Sequence, residues 1–199
     1  MGPSAQPRKA GQPYRGTVSE VRIFVILLPL VAAGVAQGFV IKRNPWPALA
    51  LPLDGGREWR GRPILGPNKT VRGVLVMVTA TAVASAVVFR LIPPAPAPTY
   101  GWFGVGILLG LGYALAELPN SFVKRRLGVQ AGTASKRGRR LQYLADQGDS
   151  VVGVVLVVAC VFDFSAWALV ALGLAGLLVH ILFDRGLHAT GVKTRAAPQ

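Results

Sequence analysis

Negative charge is scarce in this sequence: eight Asp and Glu stand against twenty-two Lys and Arg, a formal net charge of +14 at pH 7. Charged residues of both signs make only 15% of the chain, below the roughly 25% of soluble domains, which excludes an ordinary solvated surface. One cysteine, Cys160, excludes an intrachain disulfide, and its place in an apolar run predicts a buried small hydrophobe rather than a reactive thiol. The two histidines, His180 and His188, fit no metal-binding spacing and are assigned no role. No long-period repeat is present. The G-x-x-x-x-G-K-[ST] nucleotide loop is also absent.

Apolar residues, in contrast, make 52% of the chain, with a mean hydropathy of +0.47. Runs of about 18 or more such residues are long enough to cross a ~30 Å hydrocarbon core as helices. Five are expected, giving an all-α polytopic membrane protein: 21–41, 71–92, 100–118, a fourth beginning near Tyr143, and 164–183. The apolar part of the fourth, 151–162, is too short alone, so the helix must draw in the polar residues before it. Residues 1–20 read as a basic, disordered Pro/Gly tail, 21–188 as the membrane domain and 189–199 as a cytoplasmic tail. The first run lacks a convincing cleavage site and is read as an anchor, not a signal peptide. Trp46–Leu53, with three prolines nearby, is interfacial or re-entrant. The pairs Gly34/Gly38 and Gly106/Gly110 are helix-packing positions.

A net charge this high would raise nucleic-acid binding for a soluble protein. In a membrane protein, retention of Lys and Arg on the cytoplasmic side explains it more simply, so no nucleic-acid partner is expected. Seventeen of the twenty-two cations fall in or beside the loops at 42–70 and 119–142 and in the C-terminal tail. That bias places both loops in the cytoplasm and the N-terminus outside, at the cell membrane.

The chemistry concentrates between Glu117 and Ser150, which holds three of the eight acidic residues beside seven Lys and Arg. Asp146 and Asp149 are three apart and share a helical face, where unneutralised carboxylates would repel; a divalent metal or a cation must answer them. The plainer alternative is a helix N-cap, which accounts for one Asp. Glu117, Asn120, Ser121 and Lys124 form a polar stripe at the end of the third span, with Pro119 marking a kink or a fresh helix start. Glu117 is either a third metal ligand or merely interfacial. Lys124, Arg125 and Arg126 gain meaning only from the carboxylates beside them. The segment 66–73, GPNKTVRG, offers Lys69, Thr70 and Arg72 as donors for phosphate oxygens, or equally a basic membrane-flanking loop.

As a set and in order, GRPILGPNKTVRG, LPNSFVKRRLG and DQGDSVVG resemble the CDP-archaeol synthase family of membrane CTP:lipid-phosphate cytidylyltransferases. The resemblance covers about residues 52–157. It implies transfer of CMP from CTP to a lipid phosphate, with release of pyrophosphate and with Mg²⁺ in an intramembrane cavity. By motif, Asp146 and Asp149 match its metal-binding carboxylates, Ser121, Lys124 and Arg125 its S-F-x-K-R element, and Asn68, Lys69 and Thr70 its N-K-T element. Arg72 and Arg126 join the expected substrate-binding set, and Asp146, Asp149 and Lys124 the catalytic one. Val71, Ser150, Glu117 and the basic stretch 136–140 depart from the common pattern. They bear on lipid choice more than on the reaction. A CTP-dependent lipid-alcohol kinase, a small transporter and a purely structural membrane subunit are the rival readings. Which lipid phosphate is used, and the oligomeric state, are not legible.

Overall fold

The structure, a computed structural model, describes residues 21–93, 97–131, 133 and 139–191. The expected basic tail, half of the Pro-rich turn, part of the basic stretch 136–140 and the end of the C-terminal tail lie outside them. Five long helices form: α1 Val21–Arg43, α2 Val71–Leu91, α3 Gly101–Arg126, α4 Arg139–Val161 and α5 Ala166–Ala189. All five are long and apolar enough to cross a membrane. Between α1 and α2, Trp46–Leu53 contributes only a single 3-10 turn at Pro47–Leu49, so it does not span. A short antiparallel hairpin follows, β1 Glu58–Trp59 with β2 Arg62–Pro63. It turns on Arg60 and Gly61, both at positive φ.

α3 is the organising helix, packed on α2 along one side and on α4 along the other. α1 lies against α2, and α5 closes the ring between α4 and α1. Glycine makes these approaches possible. A Cβ at Gly106 would meet Ala82 Cα of α2 at 2.5 Å, and one at Gly110 would meet Val78 Cα at 2.7 Å. On the α4 side, a Cβ at Gly153 would lie 2.1 Å from the Gly112 carbonyl oxygen. Gly34 and Gly38 of α1 receive Phe183 and Leu187 of α5. Both glycine pairs expected to pack helices do so.

The helices alternate in direction, and this sorts the chain's polarity. The apolar core joins the start of α1 (Val25–Leu27), the end of α2 (Phe89), the starts of α3 and α5 (Val105, Leu172) and the end of α4 (Val158, Phe162). Phe89 meets Trp102 edge to face there, with ring centroids 5.4 Å apart. The end of α3, the start of α4 and the 44–70 loop lie at the opposite end and carry the polar residues. Leu174, Leu178 and Leu182 of α5, and Val152 and Leu156 of α4, stand exposed on the outer faces, where lipid rather than water would cover them.

Three expectations change. α3 runs unbroken through Pro119 to Arg126, eight residues past the expected end, so the helix does not restart there. Proline's missing N–H leaves only the Leu115 carbonyl without its helical donor. α4 begins at Arg139, so Asp146 and Asp149 stand two to three turns inside it and neither is an N-cap. Cys160 is exposed, not buried, because in this bundle an apolar residue can face outward.

Replacing Gly153 by Val should wedge α3 from α4 and destabilise the bundle by about 1–3 kcal/mol or more, since the clash is with backbone. Gly148→Ala, with nothing within 4 Å of the added Cβ, should cost no stability. Thermal unfolding of the two variants in detergent compares them directly.

Candidate active site

The glycine contact between α3 and α4 brings the polar ends of both helices within hydrogen-bonding reach. Asn120 Nδ2 donates to Asp146 Oδ1 at 2.7 Å and to Asp149 Oδ2 at 2.8 Å, bridging the two carboxylates with one amide. The other oxygen of Asp149 accepts the backbone N–H of Ser150 at 2.6 Å. Lys124, one helical turn beyond Asn120, forms an ion pair with Asp146. Lys69 reaches from the loop to pair with Glu117. Six side chains from three segments thus meet, three anionic, two cationic and one amide.

Asp54 builds the loop that delivers Lys69. Its Oδ2 accepts the backbone N–H groups of Leu65 at 2.7 Å and Gly66 at 3.0 Å, and its Oδ1 that of Gly56 at 3.0 Å. Partial burial works to raise the Asp54 pKa, but these N–H donors together outweigh it and hold the carboxyl below its ordinary value. Gly66 adopts a φ of +94°, and a Cβ added there would lie 3.2 Å from Arg125 Nε. The Arg125 guanidinium is buried and donates Nε–H to the Leu65 carbonyl at 3.2 Å, with a second donation to Val129. Backbone bonds between Leu53 and Lys69 (2.7 Å) and between Val71 and Leu51 (2.9 Å) complete the fold of the loop.

Not every expected site residue joins this cluster. Thr70 is the N-cap of α2, its hydroxyl accepting the Gly73 N–H at 3.1 Å. Arg72 turns away to Asn44 Oδ1 at 2.8 Å and the Pro45 carbonyl at 2.6 Å. Arg126 donates to the carbonyls of Trp59, Arg62 and Pro63 and lies over the Trp59 and Phe122 rings, so it secures the hairpin. The Ser121 hydroxyl donates to the Glu117 carbonyl of its own helix at 2.9 Å. Asn68 is exposed. Two contributors went unassigned in the sequence reading. Asn120 was visible on the polar stripe but not singled out. Asp54 gave one clue, being with Glu58 one of two acidic residues in a basic loop.

Among the described residues no three His, Cys, Asp or Glu side chains gather as a metal cage. Glu117 is engaged by Lys69 rather than completing one. The donor set still fits Mg²⁺, which takes one or two carboxylates and completes its octahedron with water and substrate phosphate. Asp146 and Asp149 provide such a pair, already converging on the Asn120 amide.

Asp54→Ala would strip the acceptor from three loop amides, at about 1–3 kcal/mol per group left unsatisfied. Hydrogen exchange at Leu65 and Gly66 should quicken by about tenfold or more, while the α3–α4 amides keep wild-type protection. Because the folded-state pKa is lowered, this contribution is present above the ordinary carboxylate pKa of 3.8 and is lost as pH falls through the lowered value. Wild-type loop protection should therefore hold from neutral pH down to that range.

Comparison with known proteins agrees with this architecture. A family model described as CarS-like, CDP-archaeol synthase, matches residues 48–194. The CDP-archaeol synthase of Methanospirillum hungatei is 36% identical over 146 residues, covering 70% of this chain and 81% of the relative. That of Halorubrum lacusprofundi is 33% identical over 156 residues, covering 71% and 81%. A solved intramembrane enzyme of archaeal membrane lipid biosynthesis shares the fold, with a TM-score of 0.61 at 24% identity over 84% of this chain and 95% of its own. From its spans, its fold and its relatives, this multi-pass membrane protein belongs to the CDP-archaeol synthase family of cytidylyltransferases.

Proposed function

We propose that this enzyme transfers CMP from CTP to a lipid phosphate in the bilayer, releasing pyrophosphate, at the cluster formed by Lys69, Glu117, Asn120, Lys124, Asp146 and Asp149. The observation that carries the reading is the aspartate pair bridged by Asn120, with Lys124 ion-paired to Asp146 and Lys69 to Glu117 one turn before Asn120. Anionic and cationic groups placed together inside an apolar bundle suit a metal-bound polyphosphate better than they suit lipid. The loops carrying the cluster face the cytoplasm of the cell membrane, where CTP is found, in keeping with the distribution of Lys and Arg.

Asp146 and Asp149 would hold Mg²⁺, which when bound supplies neutralising charge for the phosphate oxygens. Asn120 keeps the two carboxylates converged. Lys69 and Lys124 pair with Glu117 and Asp146; with nucleotide bound they would transfer to triphosphate oxygens, giving charge-assisted hydrogen bonds. Arg125 and Arg126 act through the loop, holding the backbone that delivers Lys69. A lipid phosphate oxygen forms the new bond to the α-phosphorus of CTP as the bond from that phosphorus to the pyrophosphate oxygen breaks in line. No strong base is needed, because the attacking phosphate is already anionic. Positioning and electrostatics supply the rate.

The relatives' name points first to an archaeol-type ether lipid phosphate as acceptor, with diacyl phosphatidate as the comparison. Purified protein, Mg²⁺, labelled CTP and each lipid phosphate should yield a CDP-lipid and pyrophosphate. Release of CDP instead would mean phosphoryl transfer and overturn the reading. Asp149→Asn should lower turnover on the order of 10²–10³-fold. Lys69→Met and Lys124→Met should each raise the KM for CTP roughly tenfold or more, the value of a hydrogen bond to a charged group.

A further inference from the structure

A second polar group lies beside the aspartate pair and has no part in the chemistry above. His180 of α5 places Nδ1 3.0 Å from the Gln147 carbonyl of α4 and Nε2 3.3 Å from the Tyr113 hydroxyl of α3. The carbonyl can only accept, so Nδ1 carries the hydrogen and Nε2 offers its lone pair to the Tyr113 hydroxyl. The imidazole is thus a directed link running from α3 through α5 to α4. Buried Ser150 closes the group, its Oγ 3.5 Å from Nδ1.

The turn that His180 grips is the one that aims the carboxylates. Gln147 follows Asp146, and Ser150 follows Asp149 and gives its N–H to that carboxylate. Gly148, between them, has no side chain, and nothing stands within 4 Å of where a Cβ would be. Packing therefore does not reach Gly148 itself, although Gln147 and Ser150 on either side of it are buried. The side-chain hydrogen bonds on this turn come from Asn120 on the α3 side and from His180 on the α5 side. Polar groups meeting inside an apolar bundle are costly unless satisfied, and apolar residues would fill the same space without that cost.

We propose that His180, oriented by Tyr113, is a positioning residue that fixes the 147–150 turn and so sets the convergence of Asp146 and Asp149 on a divalent cation. The inference rests on the metal role of the aspartates, and the test separates the two. Binding of Mn²⁺ alone to the full chain in detergent is read from the electron paramagnetic resonance of free Mn²⁺. Groups that orient metal ligands typically contribute 10–100-fold to affinity. His180→Phe should weaken Mn²⁺ binding by about that factor, and His180→Asn, whose amide can still donate near the Nδ1 position, should recover most of it. Tyr113→Phe should give a smaller loss. Leu172→Ala, a core truncation at the far end of α5, should lower thermal stability but leave Mn²⁺ affinity unchanged.

Wild-type affinity in His180→Phe, together with lost binding in Asp149→Asn, would overturn the positioning role and leave the metal role standing. Equal losses in His180→Phe and Leu172→Ala would also overturn it, by reducing it to bundle stability. If His180→Phe does not insert, wild-type affinity in Tyr113→Phe would overturn it, and a loss in Tyr113→Phe with none in Leu172→Ala would support it. No Mn²⁺ binding by the wild type would overturn both readings.

Discussion

Two carboxylates inside an apolar helix bundle must find hydrogen-bond donors or cations, and the Asn120 bridge to Asp146 and Asp149 is how this chain meets that demand. The bridge depends on distance. An amide side chain spans only a few ångströms, so α3 and α4 must run close enough for their backbones to touch. Gly112 and Gly153 provide that approach, and any side chain at Gly153 would meet backbone. The small residues that pack the helices therefore also assemble the site.

The remaining architecture follows from where the polar end of the bundle lies. Helices of alternating direction gather the apolar core at one end, leaving the other for Lys69, Glu117, Lys124 and the aspartates. The loop between α1 and α2 is fixed over that end by Asp54 from within and by Arg125 and Arg126 from α3. The basic residues in and around it thus divide into two kinds. Lys69 reaches the Glu117 carboxylate, while Arg72 and Arg126 hold backbone carbonyls of the loop. A basic motif in sequence does not distinguish these uses, because both require a donor-rich side chain beside a span.

Membrane character was legible because hydrophobic length is a direct physical requirement, and all five helices formed near the expected places. The extra turns of α3 and α4 were not, since polar helix ends carry no apolar periodicity. Asp146 and Asp149 were recognisable as a pair from their three-residue spacing. Their depth within α4, which excludes helix capping, needed the helix start at Arg139. Cys160 was misjudged because burial in sequence reasoning means hydrophobicity, whereas on a membrane bundle the outer face is equally apolar.

By itself the sequence determined the class of protein, the five spans, the segments that carry chemistry and their family resemblance. Each is a local property of composition, run length or spacing. Only the tertiary structure decided which polar residues meet: Asn120 with both aspartates, Lys69 with Glu117 across 48 positions, and His180 with a turn 33 positions away. Those partnerships depend on helix rotation and on backbone approach at glycines. Neither leaves a periodic trace along the chain.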